Sequence, residues 1–142
     1  MIAEQLALIA ATSFASARGY ITVIEQPARL KLEPRALLAE WRSSHKRGTV
    51  MQVSLAVVAA GLGVASFVMM RNWQWLCGAV ILLALLPYTL IAVMPVNRRL
   101  MSISADAADE SVRDEVQRWG LVHAGRTLLG IAAALIFLWA TL

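Results

Sequence analysis

Cysteine and histidine are scarce in this chain of 142 residues, which contains one cysteine, Cys77, and two histidines, His45 and His123. A single thiol cannot form an intrachain disulfide, and it has no second sulfur with which to hold a metal. The sequence also has no glycine-rich phosphate loop, no serine nucleophile elbow, no Cys-x-x-Cys pair and no His-Glu-x-x-His motif. The enzyme classes that depend on those local motifs are therefore set aside.

Charge is scarce as well. Only 15% of the residues are charged, whereas 59% are hydrophobic and the mean hydropathy is +0.65; soluble domains carry about 25% charged residues. Four apolar stretches run from about Ile2 to Ile24, Thr49 to Met70, Trp73 to Met94 and Leu121 to Leu142. Each approaches the roughly 20 residues that a helix needs to cross the bilayer, where backbone amides must pair within the segment. We expect an all-α integral membrane protein with four spans. The first stretch is expected to be a retained span and not a cleaved signal peptide, because its start contains Glu4 and no basic residue.

Basic residues predict the orientation of these spans, because cytoplasmic loops carry an excess of Lys and Arg. The linker between the first two spans contains Arg29, Lys31, Arg35, Arg42, Lys46 and Arg47. The linker between the last two contains Arg98, Arg99, Arg113 and Arg118. Both linkers are therefore expected in the cytoplasm and both termini outside. The net charge of +4 then reflects topology, and no nucleic-acid partner is expected.

The chain contains an internal repeat. YITVIEQPARL begins at Tyr20 and YTLIAVMPVNRRL at Tyr88, each with a proline seven residues after the tyrosine. Trp-x-x-x-His then occurs twice, ending at His45 and at His123, before an apolar run. We expect one domain, residues 1–142, built from a duplicated two-span unit of about 1–70 and 71–142. Parallel repeats are related by an axis along the membrane normal, which would bring the two histidines to the same depth.

The linkers are expected to be helical and to continue into the spans that follow them. Pro34 follows Glu33 at a favourable first helical position. In the second linker Asp106, Asp109 and Glu110 would occupy a first helical turn, where acidic side chains favour the positive end of the dipole. The sequence thus predicts a four-helix bundle with cytoplasmic helical extensions, and Trp41 and Trp119 are expected at the level of the lipid headgroups.

Several ionisable and polar side chains lie in or beside these spans. An ionisable group at the centre of a span costs roughly 2.5–3.5 kcal/mol on insertion scales, so each is a candidate functional residue. The groups expected to converge at the cytoplasmic ends are Glu25, His45, Arg47, Gln52, Asn97, His123 and Arg126, with Tyr20 and Tyr88 one to two turns deeper. Arg18 is expected outside this cluster. As an alternative to a functional role, Arg18 and Arg126 each extend their stems toward the interface.

The chemistry of the cluster has several interpretations. Glu25, His45 and His123 supply one carboxylate and two imidazoles, a ligand set suited to non-haem iron or copper. Two histidines on different helices also suit axial ligation of a haem. Without a cofactor, a histidine or Glu25 could take a proton from a phenolic or quinone-like molecule while Arg126 and Asn97 stabilise an oxyanion. Alternatively, Glu25 pairs with a cation, Arg18, Arg47 or Arg126, and the cluster only joins the helix ends.

The segments VIEQPARL, WRSSHKRGTVMQ, LPYTLIAVMPVNRRL and RWGLVHAGRTLLG together resemble the anthrone oxygenase-like family of small four-span membrane proteins. The resemblance implies a four-helix bundle and, for fungal members, oxygenation of a polyketide anthrone to an anthraquinone. The matched positions are Glu25, Pro27, Arg29, Trp41, His45, Asn97, Trp119, His123 and Arg126. Bacterial members often have a histidine after the glutamate, where this chain has Gln26, so a role of that histidine would be absent here.

We therefore expect an oxygenase or oxidoreductase of the bacterial inner membrane that acts on a hydrophobic aromatic or quinone-type molecule taken from the bilayer. The expected catalytic residues are His123, Glu25 and His45, which are also the candidate metal ligands. The expected substrate-binding residues are Arg126, Asn97, Trp119, Trp41, Tyr20, Tyr88 and Arg29. The alternative is a non-enzymatic protein that binds lipid, quinone or haem, or a helper subunit of a larger membrane partner. A homo-oligomer is compatible with both.

Overall fold

The structure is a computed structural model that describes residues 2–142, and this part of the chain is helical with no strands. The helices are α1 (Ile2–Tyr20), α2 (Gln26–Arg29), α3 (Pro34–Met70), α4 (Trp73–Tyr88), α5 (Met94–Ser102) and α6 (Ser111–Thr141). A first π turn (Ile21–Glu25) joins α1 to α2, a second (Thr89–Val93) joins α4 to α5, and a 3₁₀ turn (Ala105–Ala107) precedes α6. The all-α prediction is confirmed.

Four continuous helical stretches are long and apolar enough to cross a membrane: Ile2–Arg29, Pro34–Met70, Trp73–Ser102 and Ser111–Thr141. The protein is therefore a multi-pass membrane protein. The second stretch has 37 residues and is roughly 55 Å long at about 1.5 Å per residue, which exceeds a hydrocarbon core of about 30 Å. The helix begins at the first residue after extended Glu33, as the position of Pro34 predicts.

The start of α6 differs from the prediction. Residues 103–110 form turns, and the helix begins only at Ser111, so Asp106 does not lie in its first turn. Asp109 instead accepts hydrogen bonds from the amide and the hydroxyl of Ser111, at 2.9 and 2.5 Å. The hydroxyl bond above all, and then the amide bond, lower the pKa of the Asp109 carboxyl. A local side-chain bond to the backbone has competed with helix formation here.

In the bundle, α1 and α4 each pack against both α3 and α6. The turn between α3 and α4 is tight: Arg71 adopts a left-handed conformation with φ of 56°, and the side chain of Asn72 caps α4 by accepting from the amide of Gln74 at 3.1 Å. The core within the spans combines small side chains with a few large rings, namely Ala7, Ala11, Phe14, Ala59, Trp75, Ala79, Ala133 and Phe137. Large apolar side chains such as Val57 and Leu128 remain exposed on the outer faces, as expected where lipid replaces water.

A second apolar core lies where the linkers meet. It contains Leu37, Leu38, Trp41, Val96, Leu100, Val112, Val116 and Trp119. Two arginines join the linkers to each other through backbone carbonyls. Arg42 of α3 donates to Leu100 O at 3.1 Å near the end of α5, and Arg113 of α6 donates to Leu32 O at 2.9 Å just beyond α2. Carbonyls at helix ends lack partners within the helix, so these bonds fix the short helices against the long ones.

The two segments with the Tyr-to-Pro pattern adopt the same local backbone. In the first π turn the amide of Gln26 donates five residues back to Ile21 O, and in the second the amide of Met94 donates to Thr89 O. A proline follows each turn. Proline cannot donate to the preceding helical turn, and a π turn is one way in which a helix accommodates such a break. The duplication of a two-span unit stays a prediction.

Candidate functional site

A layer of buried polar side chains separates the two apolar cores. Arg18 of α1, Gln52 of α3, Asn97 of α5, His123 and Arg126 of α6 are exposed by only 4, 4, 7, 1 and 7%. They come from four different helices, and they lie on helices that span the membrane. Buried polar groups in a membrane protein mark functional sites by default, so this layer is the candidate site.

The two histidines of the site surround one indole ring. His45 stacks on Trp41 with ring centroids 4.7 Å apart, and His123 lies against Trp119 at the same distance. The ring of Trp119 also meets Trp41 and His45 edge to face, at 5.9 and 6.3 Å. Both indoles are buried in protein, with exposures of 0 and 3%. These rings therefore do not contact lipid, because each has an imidazole and another indole to pack against. Their expected level, that of the headgroups, stays a prediction.

His45 and His123 line one small pocket, which has room for about one water-sized molecule. The other residues that line it are Ile21, Arg29, Ser44, Gly48, Thr49, Gln52, Trp119 and Arg126. Inside the pocket wall, Nδ1 of His123 lies 3.3 Å from the hydroxyl of Thr22, and that hydroxyl donates to the carbonyl of Arg18 at 3.0 Å. The same hydroxyl lies 2.9 Å from the hydroxyl of Thr127, so His123, Thr22 and Thr127 form one hydrogen-bonded group between the first π turn and α6. The Nε2 atom of His123 is buried and has no hydrogen-bond partner in the protein.

A larger cleft adjoins the small pocket and has a volume of about 280 Å³. His45, Thr49, Gln52 and Arg126 line both. The apolar side chains of the cleft are Phe14, Val53, Ala56, Val57, Leu82, Leu83, Leu85, Leu86 and Met94, and its remaining polar ones are Arg18, Thr89 and Asn97. Val53 and Val57 of α3 and Leu83 and Leu86 of α4 are also exposed on the outer surface. The cleft therefore opens between α3 and α4, toward lipid.

Glu25 belongs to an ion-pair network beside the small pocket. Its carboxylate accepts from the guanidinium of Arg29 and from the hydroxyl of Ser44, and Arg29 also pairs with Glu40, with Nε 3.0 Å from Oε2. The guanidinium of Arg29 lies 5.4 Å from the ring of Trp119. The expected partners Arg18, Arg47 and Arg126 were wrong: Arg29 lies four residues after Glu25, so the two side chains share a face across the π turn and α2.

The hypothesis that Glu25, His45 and His123 bind a metal ion requires these side chains to form a ligand cluster, and the structure shows none. Over residues 2–142, no three His, Cys, Asp or Glu side chains are grouped so that they could hold a metal ion. The physical reason is the ion pair, which holds the carboxylate of Glu25 on Arg29. Glu25 also lines neither the small pocket nor the cleft.

The two tyrosines predicted to bind substrate lie outside both pockets. Tyr20 is 60% exposed on the outer surface. Tyr88 is half-buried, and its hydroxyl donates to Val122 O at 2.9 Å, which ties α4 to α6. The other predicted contacts divide between the pockets: Arg29 and Trp119 line the small one, Asn97 the cleft, Arg126 both, and Trp41 supports His45 from behind.

Arg18 was expected outside the cluster and lies inside it. Its guanidinium carbon is 4.7 Å from the centre of the Phe14 ring, and its side chain lines the cleft. The signal was present in the sequence. Ala7, Ala11, Phe14 and Arg18 recur at helical spacing, and all four are buried. An arginine on the inward stripe of a span points into the bundle, whereas one on the outer stripe extends toward the interface.

Comparison with known proteins identifies the family. Residues 41–136 match the family model described as anthrone oxygenase, a stretch that includes His45, Asn97, His123 and Arg126. The chain is 32% identical to an anthrone oxygenase of Claviceps purpurea (strain 20.1) over 116 residues. This match covers 73% of this chain and 67% of the relative. Over 129 residues it is 24% identical to anthrone oxygenase dmxR16 of Cryptosporiopsis sp. (strain 8999), covering 86% and 75%. No solved structure matches. The chain belongs to the anthrone oxygenase family.

Proposed function

We propose that this protein is a membrane-embedded oxygenase that uses dioxygen to oxidise an anthrone-type molecule, a fused aromatic ring system with an oxygen substituent and an acidic ring C–H. The observation that carries the proposal is the cleft of about 280 Å³. Its lining is mostly apolar and includes an imidazole, two guanidiniums and two amides. Pockets of this kind hold a hydrophobic ligand and orient it by a few polar contacts. Membership of the anthrone oxygenase family supports the same reaction class.

The reaction balances without a redox cofactor. The ring methylene of the substrate loses a proton, and the charge spreads onto the ring oxygen as an enolate. The enolate gives an electron to dioxygen, recombination at the carbon forms a peroxide anion, and return of the proton from the base gives a hydroperoxide. Loss of water from the hydroperoxide leaves a carbonyl, so one atom of dioxygen enters the quinone and the other leaves as water. The protein must therefore supply a base, a site for the oxyanion and a place for dioxygen.

In this proposal His45 takes the proton, because it is the imidazole that lines both the cleft and the small pocket. Asn97, which lines the cleft, stabilises the oxyanion through its amide. Dioxygen occupies the small pocket beside the free Nε2 of His123, where that atom can exchange a proton with the bound oxygen. Glu25 does not contact the substrate in this proposal, and its role is to hold Arg29 against Trp119.

Substrate would enter from the bilayer through the gap between α3 and α4. We propose further that the protein lies in the inner membrane of a bacterium. The basic linkers support an orientation with the polar layer near the cytoplasmic side and both termini outside. The duplicated unit, residues 1–70 and 71–142, accounts for the similar π turns and for two Trp–His pairs around one centre.

The test is oxygen uptake by proteoliposomes supplied with 1,8-dihydroxyanthrone, with the quinone product followed by its absorbance. We expect protein-dependent consumption of one dioxygen per quinone formed, and a large loss in His45→Gln. Arg47→Gln, an exposed change on the same helix, is the matched control and should retain the activity. Uptake no faster than in empty liposomes would contradict the proposal, and saturable binding without uptake would favour the non-enzymatic alternative.

A further inference from the structure

Arg18 and Arg126 are buried cations without a counter-charge. Among residues 2–142, the ion pairs of the structure include neither of them. The Nε and Nη1 atoms of Arg18 and the Nε of Arg126 are buried with no hydrogen-bond partner. Arg29 provides the contrast within the same layer, since it is equally buried but is matched by Glu25 and Glu40.

The unmatched cations share one cavity. Both arginines line the cleft, together with Gln52 and Asn97. No Asp or Glu of the described chain lines it. The helices that carry the two arginines cross beside them, where the hydroxyl of Thr127 lies 3.4 Å from the carbonyl of Arg18. Burying a charge without a partner is strongly unfavourable, and more so within a membrane, so the cleft is built to receive an anion from outside the chain.

We propose that the cleft binds its ligand as a hydrophobic carboxylate, with the carboxylate held between Arg18 and Arg126. Guanidinium groups form their strongest and most directional hydrogen bonds with carboxylates. A volume of about 280 Å³ accommodates one compact ring system or part of one chain, and it excludes the two-chain body of a phospholipid. The inference rests on the proposed function in one respect only, which is that the apolar body is aromatic. An aromatic acid and a fatty acid of the bilayer both present a carboxylate on an apolar body, so either could be the ligand.

The experiment compares two probes that differ in charge and hardly in size, anthracene-2-carboxylate and anthracene-2-carboxamide. Binding to the full-length protein in neutral detergent is followed by the fluorescence anisotropy of the anthracene. We expect the acid to bind about tenfold or more tightly than the amide, as is typical of a charge-assisted hydrogen bond. Arg18→Gln and Arg126→Gln should each remove the preference, with the amide still bound. Arg126→Lys should keep part of it, and Arg47→Gln should keep all of it.

Equal affinity of the two anthracene probes would overturn the inference. So would an unchanged preference in Arg18→Gln and Arg126→Gln proteins that still bind the amide. Competition assigns the source of the acid: displacement of the aromatic acid by palmitate, but not by palmitamide, supports the site and identifies a membrane fatty acid as its ligand. A preference for the acid without any oxygen uptake would leave the site in place and remove the oxygenase. Oxygen uptake with a neutral anthrone, together with equal affinity for the acid and the amide, would support the oxygenase and remove the carboxylate site.

Discussion

The imidazole of His45 lies flat against the indole of Trp41, with ring centroids 4.7 Å apart and planes 7° apart. The two residues are four apart on α3, a spacing that places side chains one above the other on a helix. Trp119 and His123 have the same spacing, but their rings are tilted by 32°. The difference follows from their surroundings, because Nδ1 of His123 is held by Thr22 of the first π turn. The stack holds His45 at the junction of the two pockets.

Replacement of Trp41 tests this relationship. Trp41→Ala removes a fully buried ring and is expected to lower the free energy of unfolding by about 3–5 kcal/mol, whereas Trp41→Phe should lose less and retain some oxygen uptake. Unfolding is measured by denaturing detergent in mixed micelles. Trp139→Ala is the control, because that ring is about half exposed and its loss should cost less than about 1 kcal/mol. Similar losses in the two alanine variants would contradict the buried stack.

His45→Gln tests the proposed base. Loss of a general base typically lowers a rate by about 10²–10⁴-fold, and we expect a decrease of that size in oxygen uptake with 1,8-dihydroxyanthrone. Binding of anthracene-2-carboxamide should change much less, since the apolar wall of the cleft is intact. If the variant lost binding and activity together while remaining folded, His45 would be a binding residue and the assignment as base would fail.

Gly78→Ala tests the packing of the membrane core. A Cβ atom at position 78 would lie 2.4 Å from the ring of Phe137, and such overpacking costs about 1–3 kcal/mol. The smaller side chain in Gly78→Ala/Phe137→Leu should recover part of the loss. Gly61→Ala is the control, because a Cβ atom there meets nothing within 4 Å and alanine is the better helix former. Equal destabilisation at both glycines would argue against the packing of Phe137.

Arg29→Met tests the ion-pair network. The change leaves Glu25 and Glu40 beside each other without their shared cation. Breaking a buried pair costs about 3–5 kcal/mol; the two carboxylates are 24 and 35% exposed, so we expect the lower end of that range. Adding Glu40→Gln should restore part of the stability. Arg35→Met removes a pair that is largely exposed on both sides and should change the stability by less than about 1 kcal/mol. No rescue by Glu40→Gln would contradict the shared-cation arrangement.

Labelling with a membrane-impermeant maleimide tests the orientation. With Cys77 replaced by alanine, single cysteines are introduced at Lys31 and Asp106, in the two linkers, and at Leu142. All three positions are exposed. We expect Leu142→Cys to react in intact cells, and the two linker variants to react only after the cells are broken, because the basic linkers stay in the cytoplasm. Linker cysteines that react from opposite sides of the membrane would refute the predicted four-span topology.

The helices and the neighbourhood of the site could be predicted from the sequence, because both depend on local patterns. Apolar runs of about 20 residues predicted the spans, and the ionisable residues at their ends predicted a polar cluster. The partners of each side chain depend on packing between helices. The sequence offers several arginines as partners for Glu25, and the geometry of the π turn and α2 determines that Arg29 forms the ion pair. Tyr88 was expected in the pocket, yet its hydroxyl meets the backbone of α6.

By itself, then, the sequence determined an all-helical membrane protein of the anthrone oxygenase family, since span length, hydropathy and family motifs are properties of short segments. The tertiary structure decided which polar side chains meet. It held Glu25 on Arg29, outside both pockets, and it brought Arg18 and Arg126 to one apolar cleft. The reason is that the side chains that meet inside a bundle depend on the rotation of each helix about its axis, and this rotation is set by the packing of all its neighbours.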